Sequence, residues 1–352
     1  MSFFNTKEVA FGLDISNTSL RLIQLRHRFK TCQVQLYNEI KLPPGIIDGG
    51  EIKNNQIFLD SLNKLIKTRH GHGRLSDEVV AVLPEEKTFI KFIEINTTDQ
   101  AEIEIQLKEK LSQAVPLDIS EAYFDWQILN QSDCATSLLV GISPKKIIDS
   151  YVQILTQANL IPTVLEIEAA AIARTIIDDK TDKASQIIID IGANRTGLFL
   201  YDGAIKFTIS LPVSGDKITQ LIANTLELDF ARAEQAKIVC GLDKDKCHGA
   251  LLEIFTDSIN ELAQQINSAI AFYQNNFSQP KKIEKITLCG GGANFLNIAN
   301  VLKEKIGLPV MISNPWQHIA PTSTAFFSPT KSQSFVTALG LGLRGLNPET
   351  FL

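Results

Sequence analysis

Two carboxylates, Asp14 and Asp190, each follow an apolar run and precede a turn of small polar residues. The second stretch reads IIIDIGANRTGLFLYDG over 187–203, and the first reads VAFGLDISNTSLRLIQL over 9–25. The β-branched Ile187 to Ile189 predict a buried strand, and the apolar run Leu198 to Tyr201 predicts its antiparallel return. A carboxylate at the tip of such a hairpin, followed by Gly, Asn and Thr, suits a phosphate and its magnesium. Backbone N–H groups and small hydroxyls can cradle the anion while the Asp holds the metal through water. Two such hairpins, half a chain apart, predict a duplicated fold closing on one nucleotide.

Other residues could join that chemistry. In CGGGANFLNIANVL a strand, three glycines (Gly290, Gly291, Gly292) and an immediate helix predict bare backbone on which a planar base or a phosphate can lie. Glu234 and Lys237 are three apart on a helix predicted over 231–240, hence on one face. Such a pair is usually a solvated surface pair. Glu166 stands at a predicted strand-to-helix junction. There it is either a carboxylate favoured by the helix dipole or a group that orients water near the phosphates. The five cysteines, Cys32, Cys134, Cys240, Cys247 and Cys289, are scattered and odd in number, as expected of reduced thiols. Cys240, Cys247 and His248 come nearest to a metal set, but their six-residue gap matches no common zinc pattern. His70 and His72, in HGHG, read as a solvent-facing loop.

The elements that must position these residues alternate between β and α. A third strand over 32–42 leads into the turn-rich LPPGIIDGGEI, a helix over 54–67 and a short buried strand, VVAVL, over 79–83. Residues 87–155 then read as strand, helix, two strands and helix, a small inserted subdomain with no catalytic cluster. Its last helix is expected to start at Ser143-Pro144, with Ser as cap and Pro in the first turn. Ile161 to Ile177 returns as a strand and an alanine-rich helix. After the second hairpin come a strand over 204–211, a helix capped by Ser214 or Asp216, the helix over 231–240 and a long amphipathic helix over 255–277. A last apolar helix covers 335–346. The expected fold class is therefore α/β: two duplicated lobes around a nucleotide cleft. The expected domains are a first lobe core (1–86 with 156–182 and 326–352), the insertion (87–155), a second lobe core (183–213 with 282–325) and its outer subdomain (214–281).

The chain has 352 residues, 44% hydrophobic and 21% charged, which suits a soluble protein of about two domains. A net charge of −5 argues against a nucleic-acid binder, since no face is obviously rich in Lys and Arg. No apolar run approaches transmembrane length and no signal peptide is evident, so a cytoplasmic protein is expected, without direct membrane insertion.

The ordered set of hairpins, Glu/Lys helix and Gly-rich turn resembles the actin-like ATPase superfamily. Within that superfamily it is similar to the cell-division protein FtsA and to the PilM family of type IV pilus assembly. The motifs that carry this are LPPGIIDGGEI, EKLSQAVPLDISEAYFDWQIL, SGDKITQLIA, ARAEQAK, CGGGANFLNIANVL and the closing LGLGLR. The resemblance runs from Val9 to Arg344 and implies an actin-like fold with an FtsA-like insertion. It implies ATP and Mg2+ as cofactors, with Asp14, Ser16, Asn17, Thr18 and Arg21 in one phosphate loop and Asp190, Gly192, Asn194 and Thr196 in the other. Gly215, Glu234 and Lys237 would flank the ribose and adenosine, and Gly290, Gly291, Gly292 and Asn294 would form the adenosine motif. Asp14 and Asp190 would hold the metal, and Glu166 the water.

The resemblance also implies partners: the cytoplasmic N-terminal peptide of PilN, with pilus motor ATPases and platform proteins beyond it, and homo-oligomerisation left open. The protein would lie peripheral to the inner membrane through those partners. Departures stand at Ser16 and Ser214, where the family has Gly, and at Ile209 and Ser210, where an Arg is common. They imply weak nucleotide binding, or binding with at most slow hydrolysis. The competing readings are an FtsA-like filament former, which the absence of a basic amphipathic stretch in RGLNPETFL disfavours, a related secretion-system platform protein, and a small-molecule kinase.

Overall fold

The computed structural model describes residues 9–28, 31–178, 182–211, 213–277 and 279–348. It divides into two units, Met1–Ile177 with Pro315–Phe327 and Phe335–Leu352, and Asp178–Asn314 with Ser328–Ser334.

Unit 1 begins with an antiparallel meander of β1 (Phe11–Ile15), β2 (Ser19–Arg28) and β3 (Thr31–Lys41). A two-strand ribbon, β4 (Ile47–Asp48) and β5 (Glu51–Ile52), precedes α1 (Asn55–Lys67). The Asn54 side chain accepts from the Ile57 amide and so caps α1, which buries Phe58, Leu62 and Leu65. The short edge strand β6 (His70–Gly71) pairs with β3, and β7 (Glu78–Leu83) pairs parallel with β1. Its VVAVL run is buried throughout, as befits a parallel strand covered on both faces.

The insertion follows. It consists of β8 (Phe89–Ile95), α2 (Gln100–Ala114), β9 (Ala122–Gln131) and β10 (Thr136–Pro144), the strands antiparallel in the order β8-β10-β9. Ile103, Leu107 and Leu111 of α2 pack on Ile93, Leu138 and Val140. The expected helix start at Ser143-Pro144 is corrected: β10 continues through both residues, pairing them with Tyr123 and Ala122. α3 (Lys145–Gln157) then begins without a side-chain cap. β11 (Ile161–Ile167) returns parallel to β7 and leads into the buried, alanine-rich α4 (Glu168–Ile176).

Unit 2 repeats the plan. β12 (Gln186–Ile191), β13 (Thr196–Tyr201) and β14 (Ile205–Leu211) form a meander, followed by α5 (Gly215–Leu226), α6 (Phe230–Cys240) and α7 (Ala250–Asn276). β15 (Lys285–Cys289) pairs parallel with β12. α8 (Ile298–Ile306), β16 (Val310–Ile312) and the short α9 (Pro329–Ser334) complete the unit. α10 (Val336–Leu346) belongs to unit 1 again, almost wholly buried. The order β14-β13-β12-β15-β16 matches β3-β2-β1-β7-β11 in pairing sense: three strands antiparallel, two parallel.

The duplication extends to register. Asp14 stands opposite Arg21 and Asp190 opposite Gly197, and the turns are closed by Ser16 N–H to Ser19 O at 3.0 Å and by Gly192 N–H to Arg195 O at 2.9 Å.

Three placements differ from the sequence reading. The segment 315–327 lies in unit 1, where the Ala320 amide donates to Cys32 O at 2.8 Å. Gly291 and Gly292 themselves open a 3-10 turn, Gly291–Asn294, and the α-helix begins only at Ile298. The expectation of five reduced cysteines is corrected: Cys240 and Cys247 form a disulfide, their Cα atoms 5.8 Å apart, and Cys32, Cys134 and Cys289 are free. Among the described residues no helix is long and apolar enough to cross a membrane.

Candidate functional site

The Asp190 turn and the start of α5 are joined in unit 2 through backbone. The Gly215 amide donates to Gly192 O at 3.0 Å and the Asp216 amide to Ala193 O at 2.8 Å. Ser214 rather than Asp216 caps α5, accepting from the Lys217 amide. Beneath that helix start lies a polar knot. Lys237 Nζ, on the buried face of α6, donates to Gly215 O at 3.0 Å and to the Thr219 hydroxyl at 2.7 Å, and pairs with Glu234 Oε2 at 2.5 Å. The Thr219 hydroxyl in turn donates to Glu234 Oε2 at 2.5 Å, which closes the knot. The knot leaves Glu234 on the accessible side, 39% exposed against 9% for Lys237. Burial, together with the Glu234 charge, pushes the Asp216 carboxyl up despite Lys237 nearby.

The glycine turn packs against the same strand end. Gly290 has φ +78°, and a Cβ there would overlap Asp190 Oδ1 and stand 2.8 Å from the Ile191 carbonyl. Gly291 is the opposite case: it is exposed, and nothing lies within 4 Å of where its Cβ would be. Asn294 ties the turn down, its Nδ2 donating to Gly291 O at 3.2 Å and to Thr330 O at 2.9 Å. The Lys237 ammonium lies 5.7 Å from the Phe295 ring centroid, linking the glycine turn to the knot. Behind Asp190, Cys289 Sγ is 3.8 Å from Oδ1. Burial, reinforced by the Asp190 charge, pushes that thiol well above its ordinary range, so it is a neutral donor.

Of the unit 2 candidates, Asp190, Gly192, Gly215, Glu234, Lys237, Gly290, Gly291, Gly292 and Asn294 thus lie on elements that pack together, with Gly215, Lys237 and Gly290 buried, Gly291 exposed and exposed Asn194 at the turn tip. Thr196 is placed elsewhere. It is fully buried, lines a small apolar cavity of about 20 Å³ with Ile191, Phe255 and Phe295, and its hydroxyl has no hydrogen-bond partner among the described residues. Sequence reasoning missed Thr219, the centre of the knot. Its spacing of four from Gly215 on one helix face is the signal that pointed to it.

In unit 1 the corresponding carboxylate is engaged. Arg21 bridges Asp14 Oδ2 at 3.0 Å and Glu39 Oε1 at 2.7 Å, a row across β1, β2 and β3. Burial alone would lower the Arg21 pKa, but the two carboxylates hold it above its ordinary value. The Ser16 hydroxyl turns back onto Ser19, 3.1 Å from its carbonyl, so the side chain that departs from glycine closes its own turn. Asn17 reaches Glu86 at 3.4 Å, and the Thr18 carbonyl accepts from the Leu42 amide. Glu166 is also engaged: its two oxygens accept from Arg174 at 2.5 and 2.7 Å, and Arg174 in turn donates to Gly340 O.

The two units offer a nucleotide different groups. In unit 2, Gly291 offers an unfilled backbone face beside Asp190, which suits a planar or anionic group. Magnesium in nucleotide sites takes only one or two carboxylates, with waters and phosphates completing its shell, and Asp190 is such a carboxylate. In unit 1, the Asp14 and Glu166 carboxylates already have guanidinium partners.

Comparison with known proteins gives consistent findings. A family model described as type IV pilus assembly protein PilM matches residues 12–346. A solved PilM-PilN type IV pilus biogenesis complex is similar over 97% of this chain and 100% of that chain, with a TM-score of 0.80 and 22% identity. MreB5 of Spiroplasma citri, bound to AMPPNP, is similar over 96% of both chains, with a TM-score of 0.56 and 12% identity. The cell division protein FtsA of Buchnera aphidicola is 26% identical over 184 residues, 44% of this chain and 42% of that protein. The chain thus spans less than half the length of this curated relative. The structural likenesses carry the expected α/β, actin-like ATPase fold, and at such identities they carry the fold alone.

Proposed function

The chain belongs to the PilM family of type IV pilus assembly proteins, and on that premise we propose that it is an ATP-binding scaffold of the pilus assembly platform. In this reading it captures the N-terminal cytoplasmic tail of a PilN-type membrane protein, and nucleotide changes its affinity for that tail, a coupling between two binding events. The observation that carries the nucleotide half is the open backbone face of Gly291 beside Asp190. The partner half is supported by the likeness to a PilM-PilN complex. Coupling onward to pilus motor ATPases belongs to the same proposal, as does a position at the inner membrane through partners.

Within that reading Asp190 holds the magnesium of Mg-ATP, the turn 192–195 offers N–H groups to phosphate, and Glu234 faces the ribose. The bound Mg-ATP supplies a transferable phosphoryl group. Little of that chemistry is expected to run. Phosphoryl transfer depends on positioned groups, and the Ser16 and Ser214 side chains, at positions where the family has Gly, bond within their own turn or helix start. Lys237, bonded to Gly215 O and the Thr219 hydroxyl and paired with Glu234, shapes the helix start.

Calorimetric titration of the full chain with Mg-ATP, beside Asp190→Ala, tests the nucleotide half. Binding that the substitution abolishes supports it, and no binding to the wild type overturns it. Capture of a PilN tail peptide, with and without Mg-ATP, tests the partner half separately. Capture that ignores nucleotide leaves a scaffold without coupling, and no capture by folded protein sinks the scaffold.

A further inference from the structure

The Cys240–Cys247 disulfide stands outside the proposed nucleotide site, yet it ends the helix that helps to form that site. Cys240 is the last residue of α6, less than one turn beyond Lys237, and is buried. Cys247 is exposed and lies just before α7. Disulfide frameworks stabilise small secreted domains that lack a sufficient core. Unit 2 is not of that kind: Leu242, Leu251 and Phe255, on either side of Cys247, are buried in one core with Cys240. Cys32, Cys134 and Cys289 are free. The bond closes only a short loop, where the constraint on the unfolded chain is weakest. Its effect is therefore local.

The local backbone is of a costly kind. Cys247 and His248 have φ of +50° and +54°, ahead of Gly249 at +72°, and left-handed backbone is disfavoured wherever a Cβ is present. The bond to Cys240 fixes the head of this run. The loop that it closes is also fastened to the glycine turn. The Leu242 amide donates to Leu296 O at 2.8 Å, and Asn297 Nδ2 donates to Leu242 O at 3.2 Å. A Cβ on Gly241 would overlap the Leu296 side chain, so helix end and turn are in direct contact. Next to Leu296, the Phe295 amide donates to Gly292 O at 3.0 Å. A chain of contacts thus runs from the disulfide, through Leu242 and Leu296, to the turn that carries Gly291.

We propose that Cys240 and Cys247 form a thiol–disulfide switch, operated by a dithiol, that sets the order of the 241–249 loop and of the glycine turn. Its consequence for nucleotide rests on the ATP site proposed at Asp190 and Gly291, whereas the switch itself does not. A thiolate of the dithiol attacks the exposed Cys247 Sγ, forming a mixed disulfide and releasing Cys240 as a thiolate that takes up a proton. The second thiol, deprotonated, attacks its partner's sulfur in the mixed disulfide and releases Cys247, which takes up a proton in turn. Two electrons pass to the protein, and the dithiol leaves as a disulfide. The reverse exchange restores the bond. Burial raises the Cys32 thiol to about 11 and Cys289 well above its range, so neither competes.

The test uses the full chain, purified without reductant and free of nucleotide, before and after dithiothreitol. Titration of the denatured chain should find three thiols before reduction and five after. Amide hydrogen exchange over 242–249 and 293–297 should then be about tenfold faster, the factor by which a left-handed residue disfavours its own conformation. Cys247→Ser, at an exposed position where folding is not at risk, should exchange like the reduced chain and ignore dithiothreitol. Cys134→Ser should respond as the wild type does. Five thiols before reduction, unaltered exchange over 293–297, or a Cys247→Ser chain that still responds would each overturn the switch. Mg-ATP titration of both forms reads the consequence. Weaker binding after reduction supports it, and equal affinity overturns the coupling to nucleotide. Absence of binding in both forms counts against the ATP site alone, since exchange decides the switch.

Discussion

Gly290 and Gly291 are adjacent and identical in type, yet the structure uses them in opposite ways. At Gly290 the positive φ and the contact with Asp190 exclude any side chain. Gly290→Ala combines a positive-φ backbone with overpacking, each costing about 1–2 kcal/mol. Chemical denaturation should therefore show a loss of about 2–4 kcal/mol. Gly291→Ala meets open space and should change stability by less than about 0.5 kcal/mol, while lowering Mg-ATP affinity in a titration. Equal effects of the two on stability would mean that the Gly291 face is not free. Arg174 gives a second residue-level prediction. Arg174→Met strands the Glu166 carboxylate in the interior and should cost about 3–5 kcal/mol. Arg174→Met with Glu166→Leu should recover most of that, because a buried ion pair replaced whole by apolar groups is often neutral. If the double variant is no better than the single, the pair does more than satisfy itself.

At the scale of elements, Asp202 is the anchor of unit 2. It sits in the turn between β13 and β14 and accepts from Ser185 at 2.8 Å, from Tyr273 of α7 at 2.6 Å and from Lys281 at 2.7 Å. Burial pushes its carboxyl up, but the three hydrogen bonds reverse this and hold it below the usual carboxylate range. Burial and the Asp202 bond push Tyr273 to about 12. A depressed carboxylate stabilises the fold above its unfolded pKa, and that stability is lost as pH falls through the folded value. Acid titration of unfolding should thus show a loss below about pH 4 that Asp202→Asn flattens. An unchanged profile would mean that the three bonds do not distinguish charged from neutral Asp202.

These elements were legible to different degrees. The helix over 54–67 was legible because its apolar residues recur at helical spacing, and Leu62 and Leu65 are buried. The two Asp hairpins were legible because β-branched runs and turn residues repeat. Ser143-Pro144 misled because a strand pairing across residues 122–144 outweighed a local helix-start signal. Thr196 misled because β13 is buried on both faces, so alternation could not say which way it points. The Arg21–Asp14 and Arg174–Glu166 pairs and the Cys240–Cys247 bond depend on register and chain return, which spacing alone does not supply.

At the scale of the whole molecule, duplication explains both the fold and the asymmetry of the candidate site. Each unit has the same five-strand order, an aspartate at the same register position and its own core. Yet only unit 2 combines its aspartate with a glycine turn, a helix start and a Glu/Lys knot. The two copies have diverged: the cross-strand position opposite the aspartate is Arg21 in unit 1 and Gly197 in unit 2. Nucleotide binding energy should therefore appear mainly in unit 2. Ligand at a hundred times its Kd stabilises the folded state by about 2.7 kcal/mol, a factor of about 100 in the opening equilibrium. Hydrogen exchange at saturating Mg-ATP should slow by up to that factor in α5, α6 and β15, with smaller changes in β1 and β7, and Gly291→Ala should remove the difference. Protection spread equally over both units would show that unit 1 contributes as much binding energy despite its paired carboxylates. Protection confined to unit 1 would overturn the assignment of the adenosine side to Glu234 and the glycine turn.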